Sequence, residues 1–103
     1  MRLTADAAGV PTPRVCRATV RLENTNGLHA RPAHLIVQTA NAYASVLTIG
    51  REGEQGVDAK SIMNVMMLAA ENGAVLELES TGPDCDEQVR AIIELFASRF
   101  GEE

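Results

Sequence analysis

One short stretch of the chain combines residue types that could support phosphoryl chemistry. It runs from Asn26 to Ala33 with the sequence NGLHARPA, so a single residue separates His29 from Arg31. The glycine permits a tight turn, and Pro32 is tolerated only in the first turn of a helix. His29 is therefore predicted to lie at, or one residue before, a helix N-terminus, with Arg31 in the first turn.

A helix N-terminus at this histidine would supply the groups that a phosphoryl acceptor needs. The unpaired N–H groups of a first turn and the positive end of the helix dipole attract anions. An imidazole placed there can attack phosphorus, and the backbone at Ala30 and Arg31, together with the Arg31 guanidinium, can hold the phosphoryl oxygens. The residues alone predict a phosphohistidine site at His29.

The remaining reactive side chains do not form a second site by their spacing. His34 lies five residues after His29 and off the cluster of free amides, while Cys16 and Cys85 each lack a nearby cysteine. These spacings argue against a metal site, so neither a metal nor a cofactor is expected. A hydrolase is also disfavoured, because no serine, histidine and acid order with an oxyanion turn is visible. We interpret His34 as a solvent-facing helix residue.

Length and composition restrict the class of protein. The chain has 103 residues, a net charge of −5 and 46% hydrophobic residues, of which few are aromatic. A chain of this length forms one domain, and its acidic balance argues against nucleic-acid binding. It has no apolar run of the roughly 20 residues that span a bilayer, and no signal-peptide pattern. We expect a cytoplasmic monomer with free thiols and no membrane insertion.

The pattern of apolar residues predicts the elements that position the histidine. Residues 1–15 lack periodicity and are interpreted as a flexible leader before a domain of residues 16–103. Helical patterns follow Pro32, Ser61 and Asp84, and strand patterns cover 17–23, 46–49, 55–58 and 76–79. The order βαββαβα predicts an α+β open-faced β-sandwich, with a small four-stranded antiparallel sheet and three helices on one face. Phe96 and Phe100 are the bulkiest predicted core residues.

The second helix carries more apolar residues than one buried stripe can accommodate. Ser61 is well suited to cap its N-terminus, and Asn72-Gly73 is expected to end it. The side chains taken to face the core are Val65, Leu68 and Ala69. Those that then project elsewhere are Ile62, Met63 and Met66, which we call the apolar patch. An exposed patch of this composition predicts a surface for a protein partner.

Two motifs together resemble a known family. Gly27–Ala33 (GLHARPA), followed further along by Lys60–Leu68 (KSIMNVMML), closely resembles HPr, the phosphocarrier of the bacterial phosphoenolpyruvate-dependent phosphotransferase system. The segment from Ser80 to Phe100 looks more like NPr, the nitrogen-type branch of that family. The similarity covers about residues 17–100 and implies the same βαββαβα fold.

The resemblance implies a role for each matching residue. His29 would take a phosphoryl group on Nδ1 from enzyme I and pass it to an EIIA-type protein, and Arg31 would stabilise the phosphate. Ser61 matches the serine that HPr kinase/phosphorylase modifies in some bacteria. The apolar patch matches the contact surface for enzyme I and EIIA. The protein would carry a phosphoryl group rather than turn over a substrate.

The sequence leaves alternatives open. A regulatory module could bind a partner through the apolar patch and an anion pocket without being phosphorylated on His29. A metabolic enzyme of similar build would need a second catalytic group beside His29, and the sequence shows none. Whether the sugar or the nitrogen branch is served is also open.

Overall fold

A computed structural model describes residues 14–102 and the backbone of residues 4–5 and 11–12. Its main sheet has four antiparallel strands, which are packed against three α-helices, and a short 3-10 helix (Arg99–Gly101) follows the last of them. The strands of the sheet are β1 (Val15–Arg21), β2 (Val46–Arg51), β3 (Val57–Asp58) and β4 (Val75–Thr81). The helices are α1 (Ala30–Ala40), α2 (Ile62–Met67) and α3 (Cys85–Ala97). The strands lie side by side in the order β1-β4-β2-β3. The predicted βαββαβα sandwich is confirmed.

The leader predicted for residues 1–15 lies largely outside the described residues. Within it, Thr4–Ala5 pairs antiparallel with Pro11–Thr12, apart from the main sheet. β1 begins at Val15, two residues before the strand that the alternation predicts. The alternation also predicted correctly which side chains of β1 face the core, because Val20 is buried and Leu22, just after the strand, is fully buried.

The sheet buries one face under the helices. In the central strand β4, Leu78 is buried and the adjacent Glu77 is exposed, as period-two alternation requires. Leu78 pairs with Ala18 of β1 on one side and with Ile49 of β2 on the other. α3 packs on β1 and β4, and α1 packs on both other helices. In the described part of the chain, none of the helices has the length and apolarity needed to cross a membrane.

α2 is shorter than the sequence predicts. It ends at Met67 rather than near Asn72-Gly73, and Ala69 has a φ of 49°. The Arg51 guanidinium donates to the carbonyls of Leu68 and Ala69 at 2.9 and 3.0 Å, which satisfies acceptors left unpaired at the helix end. Ala69 is exposed, so the expectation that it faces the core is wrong. Leu68 does pack against the core.

α3 begins in a hydrogen-bonded network that ties it to the turn after α1. The Asp84 carboxylate accepts from the amides of Ala44 and Ser45 at 2.9 and 2.8 Å, and from the Ser45 hydroxyl at 2.6 Å. The hydrogen bond from the Ser45 hydroxyl contributes most to lowering the pKa of the Asp84 carboxyl, and the bonds from the two amides lower it further. Gln88 is fully buried and donates to the carbonyls of Ala40 and Ser45, each at 3.0 Å. The network fixes the spacing between α1 and α3.

Candidate functional site

His29 is the N-cap residue of α1, as the sequence predicts. Its backbone is extended, with φ −81° and ψ −169°, and its carbonyl accepts a hydrogen bond from the Ala33 amide at 3.1 Å. Ala30, Arg31 and Pro32 form the start of the helix. Because first-turn amides have no intrahelical partner, the N–H groups of Ala30 and Arg31 point out of the helix end. The His29 side chain makes no capping bond to them.

The His29 ring is held through one of its two nitrogens. Nε2 lies 3.2 Å from Oε1 and 3.1 Å from Oε2 of Glu102. A carboxylate only accepts hydrogen bonds, so Nε2 carries the proton in this pair. In the neutral imidazole, Nδ1 then keeps its lone pair. The His29 side chain is 38% exposed, so the ring is accessible from solvent.

The end of the chain places Glu102 beside this ring. Phe100 is buried and packs edge-on against Phe96, with ring centroids 4.9 Å apart, so both belong to the core as predicted. Arg99 and Phe100 have φ values of 54° and 56°, and this left-handed turn directs the next residues back towards α1. Glu102 could not be identified from the sequence, because no local pattern links it to a histidine 73 positions earlier.

The loop before α1 rests on the residues that follow α2. The Leu28 amide donates to the Ala70 carbonyl at 3.0 Å. Gly27 has a φ of 67°, and a Cβ at this position would lie 2.5 Å from the same carbonyl oxygen. The fully buried Asn24 donates from Nδ2 to the Gly27 carbonyl at 2.8 Å and to Glu102 at 3.1 Å. Asn24 was not singled out from the sequence, yet it links the loop to the carboxylate.

The basic groups of α1 lie at its surface. Arg31 is exposed in the first turn, and no carboxylate of residues 14–102 forms an ion pair with it. Its guanidinium is therefore available to an anion at the helix end. His34 is also exposed, in agreement with its interpretation as a solvent-facing residue.

Ser61 is the N-cap residue of α2, as predicted. Its backbone is extended, and its hydroxyl accepts a hydrogen bond from the Asn64 amide at 3.4 Å. The residue is half-buried. The preceding Lys60 donates from Nζ to the Tyr43 carbonyl at 2.8 Å, which holds the segment before α2 against the turn after α1.

The apolar patch is exposed on α2, as the excess of apolar residues predicts. Val65 is fully buried, whereas the exposed fractions are 38% for Ile62, 69% for Met63 and 42% for Met66. Met67, which the sequence analysis did not single out, is 75% exposed. It is the last residue of α2 and adds to the exposed apolar surface of this helix.

The cysteines are free thiols, as expected. The pKa of the Cys16 thiol is raised to about 12. The larger cause is burial, and the second is a 2.9 Å hydrogen bond from Cys16 to Asp86. The nucleophilic form of cysteine is the thiolate, so Cys16 is a poor nucleophile at neutral pH.

Comparison with known proteins agrees with this geometry. The family model for the PTS HPr component phosphorylation site matches residues 16–98. The phosphocarrier protein HPr of Cupriavidus necator is 49% identical over 79 residues, which are 77% of this chain and 88% of that protein. The phosphocarrier protein NPr of Proteus mirabilis is 36% identical over 86 residues, with 82% and 93% covered. The crystal structure of HPr-C-His from Thermoanaerobacter tengcongensis matches with a TM-score of 0.80 and 41% identity, over 85% of this chain and 98% of that one.

The fold and these matches place the chain in the class of small phosphocarriers of the phosphoenolpyruvate-dependent phosphotransferase system. The chain belongs to the HPr family, in which both HPr and NPr proteins are found among its relatives. Members of this family carry phosphoryl groups between proteins of the system, such as enzyme I and EIIA proteins, and are not turnover enzymes. The resemblance noted in the sequence is therefore confirmed at the level of the family.

Proposed function

We propose that His29 accepts a phosphoryl group on Nδ1 from enzyme I and passes it to an EIIA-type protein. The observation that carries this proposal is the orientation of the ring at the helix end. Glu102 engages Nε2 at 3.1–3.2 Å, which leaves the lone pair on Nδ1. A histidine with this tautomer at a helix N-terminus combines a nucleophile with an anion site.

The transfer step is a nucleophilic substitution at phosphorus. The Nδ1 lone pair forms the new bond to phosphorus while the bond to enzyme I breaks, and the leaving group keeps that electron pair. The ring retains its proton on Nε2 and so becomes cationic. The Glu102 carboxylate lies against Nε2–H and offsets the new charge. Transfer to EIIA repeats the substitution with the phosphorylated ring as the leaving group.

The start of α1 would hold the phosphoryl oxygens. The amides of Ala30 and Arg31 lie at the positive end of the helix, beside the N-cap histidine. The Arg31 guanidinium adds a full positive charge and several donors. Together these groups stabilise negative charge where the substitution develops it, without closing the site to a partner protein.

The apolar patch is the proposed docking surface for enzyme I and EIIA. Ala70, which follows α2, accepts a hydrogen bond from Leu28 in the loop before His29, so the segment after the patch helix contacts the loop that leads to the histidine. A partner that covers Met63 and Met66 would bury apolar side chains that are otherwise exposed. We place this exchange in the cytoplasm.

Ser61 is the proposed regulatory site, a substrate for an HPr kinase/phosphorylase where the host has one. Its hydroxyl lies at the N-terminus of α2, directly before the apolar patch. A phosphate there would add about two negative charges at the edge of the docking surface. Partner binding would then require desolvation of those charges, which lowers affinity.

The central test is phosphorylation by enzyme I and phosphoenolpyruvate. The wild-type chain should gain one acid-labile phosphate, and nuclear magnetic resonance should place it on Nδ1 of His29. His29→Ala should abolish labelling, whereas the matched control His34→Ala should retain it. Absence of label on the wild-type chain, or label that persists in His29→Ala, would refute the proposal.

A second test concerns the docking surface, which a carrier and a binding module that is never phosphorylated would share. Met63→Glu should weaken binding of enzyme I, and Ile93→Glu, a change at an exposed apolar residue of α3, should not. Both variants should keep the fold by circular dichroism. If partners bind wild-type protein but never phosphorylate it, the binding module is the better description.

A further inference from the structure

Three side chains that can ligate metals meet at the opposite end of β1 from His29. They are Cys16 near the start of β1, and Cys85 and Asp86 in the first turn of α3. The two sulfurs and a carboxylate oxygen of Asp86 all lie within 4.8 Å of one another. Cys85 is fully buried, and Cys16 is half-buried. Neither thiol has a part in the proposed phosphoryl transfer.

We propose that Cys16, Cys85 and Asp86 form a binding site for a zinc-class divalent cation. Thiolate sulfur and carboxylate oxygen are both ligands of Zn²⁺, which prefers four-coordinate tetrahedral sites. Three protein ligands leave the fourth position to water. The half-buried Cys16 and the partly exposed Asp86 give a cation access from solvent.

Arg14 orients the carboxylate for this role. Asp86 Oδ2 lies 2.8 Å from Arg14 Nη1, whereas Oδ1 lies 2.9 Å from Cys16 Sγ. One oxygen is thus held by the guanidinium, and the other faces the sulfurs. Partners of this kind fix ligating carboxylates in metal sites. The charges also balance, because two thiolates and one carboxylate offset a divalent cation and the guanidinium.

Binding is a coordination step with proton release. The cation forms two bonds to sulfur as both thiols lose their protons to solvent, and Asp86 Oδ1 exchanges the thiol hydrogen bond for the metal. Zinc–sulfur bonds of about 2.3 Å place tetrahedral sulfurs about 3.8 Å apart. The two sulfurs already lie within 4.8 Å of each other, so the ligands need to approach by no more than about 1 Å. The bound ion would connect the start of β1 to the start of α3.

The site is separate from the phosphoryl-acceptor site. Cys16 is the second residue of β1, whereas His29 follows the other end of this seven-residue strand. Such a strand spans about 20 Å. The cation site and the phosphocarrier function can therefore fail independently.

The test is to titrate the reduced, metal-free full chain with Co²⁺ in the presence of a phosphine reductant, which keeps both thiols reduced. The wild-type chain should bind one equivalent, with sulfur-to-cobalt charge-transfer absorption in the near ultraviolet, and Zn²⁺ should displace it. Cys16→Ser and Cys85→Ala should each abolish the absorption. Asp86→Asn removes a ligand and should weaken binding by at least the roughly 10- to 100-fold that loss of an outer-shell partner costs. The matched control Glu87→Gln, the next residue of the same turn, should bind like the wild-type chain.

Three results would overturn the proposal. The first is a wild-type chain without the charge-transfer absorption. The second is absorption that survives in folded Cys16→Ser, the variant at the less buried cysteine. The third is binding that disappears in His29→Ala, which would assign the ion to His29 and Glu102. Circular dichroism and labelling of His29 by enzyme I establish that each cysteine variant is folded.

Discussion

The starts of α1 and α2 resemble each other in backbone geometry but use their cap residues in different ways. Both N-cap residues have an extended backbone. The Ser61 side chain turns inward and accepts a hydrogen bond from the Asn64 amide of its own helix. The His29 side chain turns away from its helix and contacts Glu102 near the end of the chain. The first-turn amides of α1 thus stay available to an anion, while α2 has one of its donors satisfied.

α3 shows a third use of the same position. Its N-cap residue, Asp84, makes no side-chain bond to its own helix and instead accepts from Ala44 and Ser45 across the fold. The start of α1 is therefore the proposed anion site, whereas the start of α2 is capped locally and the start of α3 is linked to another part of the fold. For His29 and Ser61, which share an extended backbone, the difference lies in what each side chain meets from elsewhere in the chain. Asp84 also differs in its backbone, with φ −117° and ψ 33°.

The largest predicted effect comes from a change in the loop that sets the start of α1. Gly27→Ala places a Cβ 2.5 Å from the Ala70 oxygen, so the loop must shift and His29 with it. A displacement of about 1 Å can reduce a rate about 100-fold, and we expect a loss of that order in phosphorylation by enzyme I. Stopped-flow or quench-flow transfer assays would measure it.

Gly53→Ala is the matched control for this change. Gly53 also has a positive φ, of 82°, but an added Cβ there meets nothing within 4 Å. It carries the same backbone cost without the clash, and it should leave transfer within about twofold of wild type. Equal losses in both variants would show that loop placement is not what α1 requires.

The next effect concerns the contact that turns His29 away from its own helix. Glu102→Gln removes the charge opposite Nε2 and makes the tautomer ambiguous, because an amide both donates and accepts. Hydrogen bonds to charged groups contribute about 1.5–3 kcal/mol, so transfer should fall roughly tenfold to hundredfold. Glu94→Gln on the exposed side of α3 is the control. Unaltered transfer in Glu102→Gln would remove Glu102 from the mechanism.

Ser61→Asp tests whether charge at the start of α2 acts on the docking surface. We expect acceptance of phosphate from enzyme I to fall about tenfold, since the added carboxylate must be desolvated beside the apolar patch. Ser61→Ala loses the cap without adding charge and should lower the free energy of unfolding by about 1 kcal/mol with transfer unchanged. Urea denaturation and transfer kinetics on both variants separate capping from charge.

The smallest effect is a pH dependence at the start of α3. The pKa of Asp84 is lower in the folded chain than its unfolded value of about 3.9. The carboxylate therefore stabilises the fold above about pH 4, and this contribution is lost as the pH falls through the folded pKa. Asp84→Asn should be less stable than wild type at neutral pH, with a gap that narrows on acidification. A gap independent of pH in urea denaturation would contradict this.

Much of the fold and part of the site follow from local sequence. Gly27 and Pro32 bracket a turn that opens into a helix, so the position of His29 could be read from backbone chemistry alone. The alternation around Val20 gave the buried face of β1 correctly. The excess of apolar residues in α2 predicted that Met63 would be exposed. Each inference depends on neighbours within a turn or two, where spacing determines geometry.

Tertiary structure decided which distant groups meet. Glu102 reaches His29, and Cys16 reaches Asp86 across 70 positions, through the packing of α3 on β1. Arg51, at the end of β2, donates to the carbonyls of Leu68 and Ala69 that follow the early end of α2. None of these partners has a spacing that the sequence could reveal, because the contact depends on how the elements pack in three dimensions. The sequence determined where the histidine stands, and the packing determined which of its nitrogens faces a carboxylate.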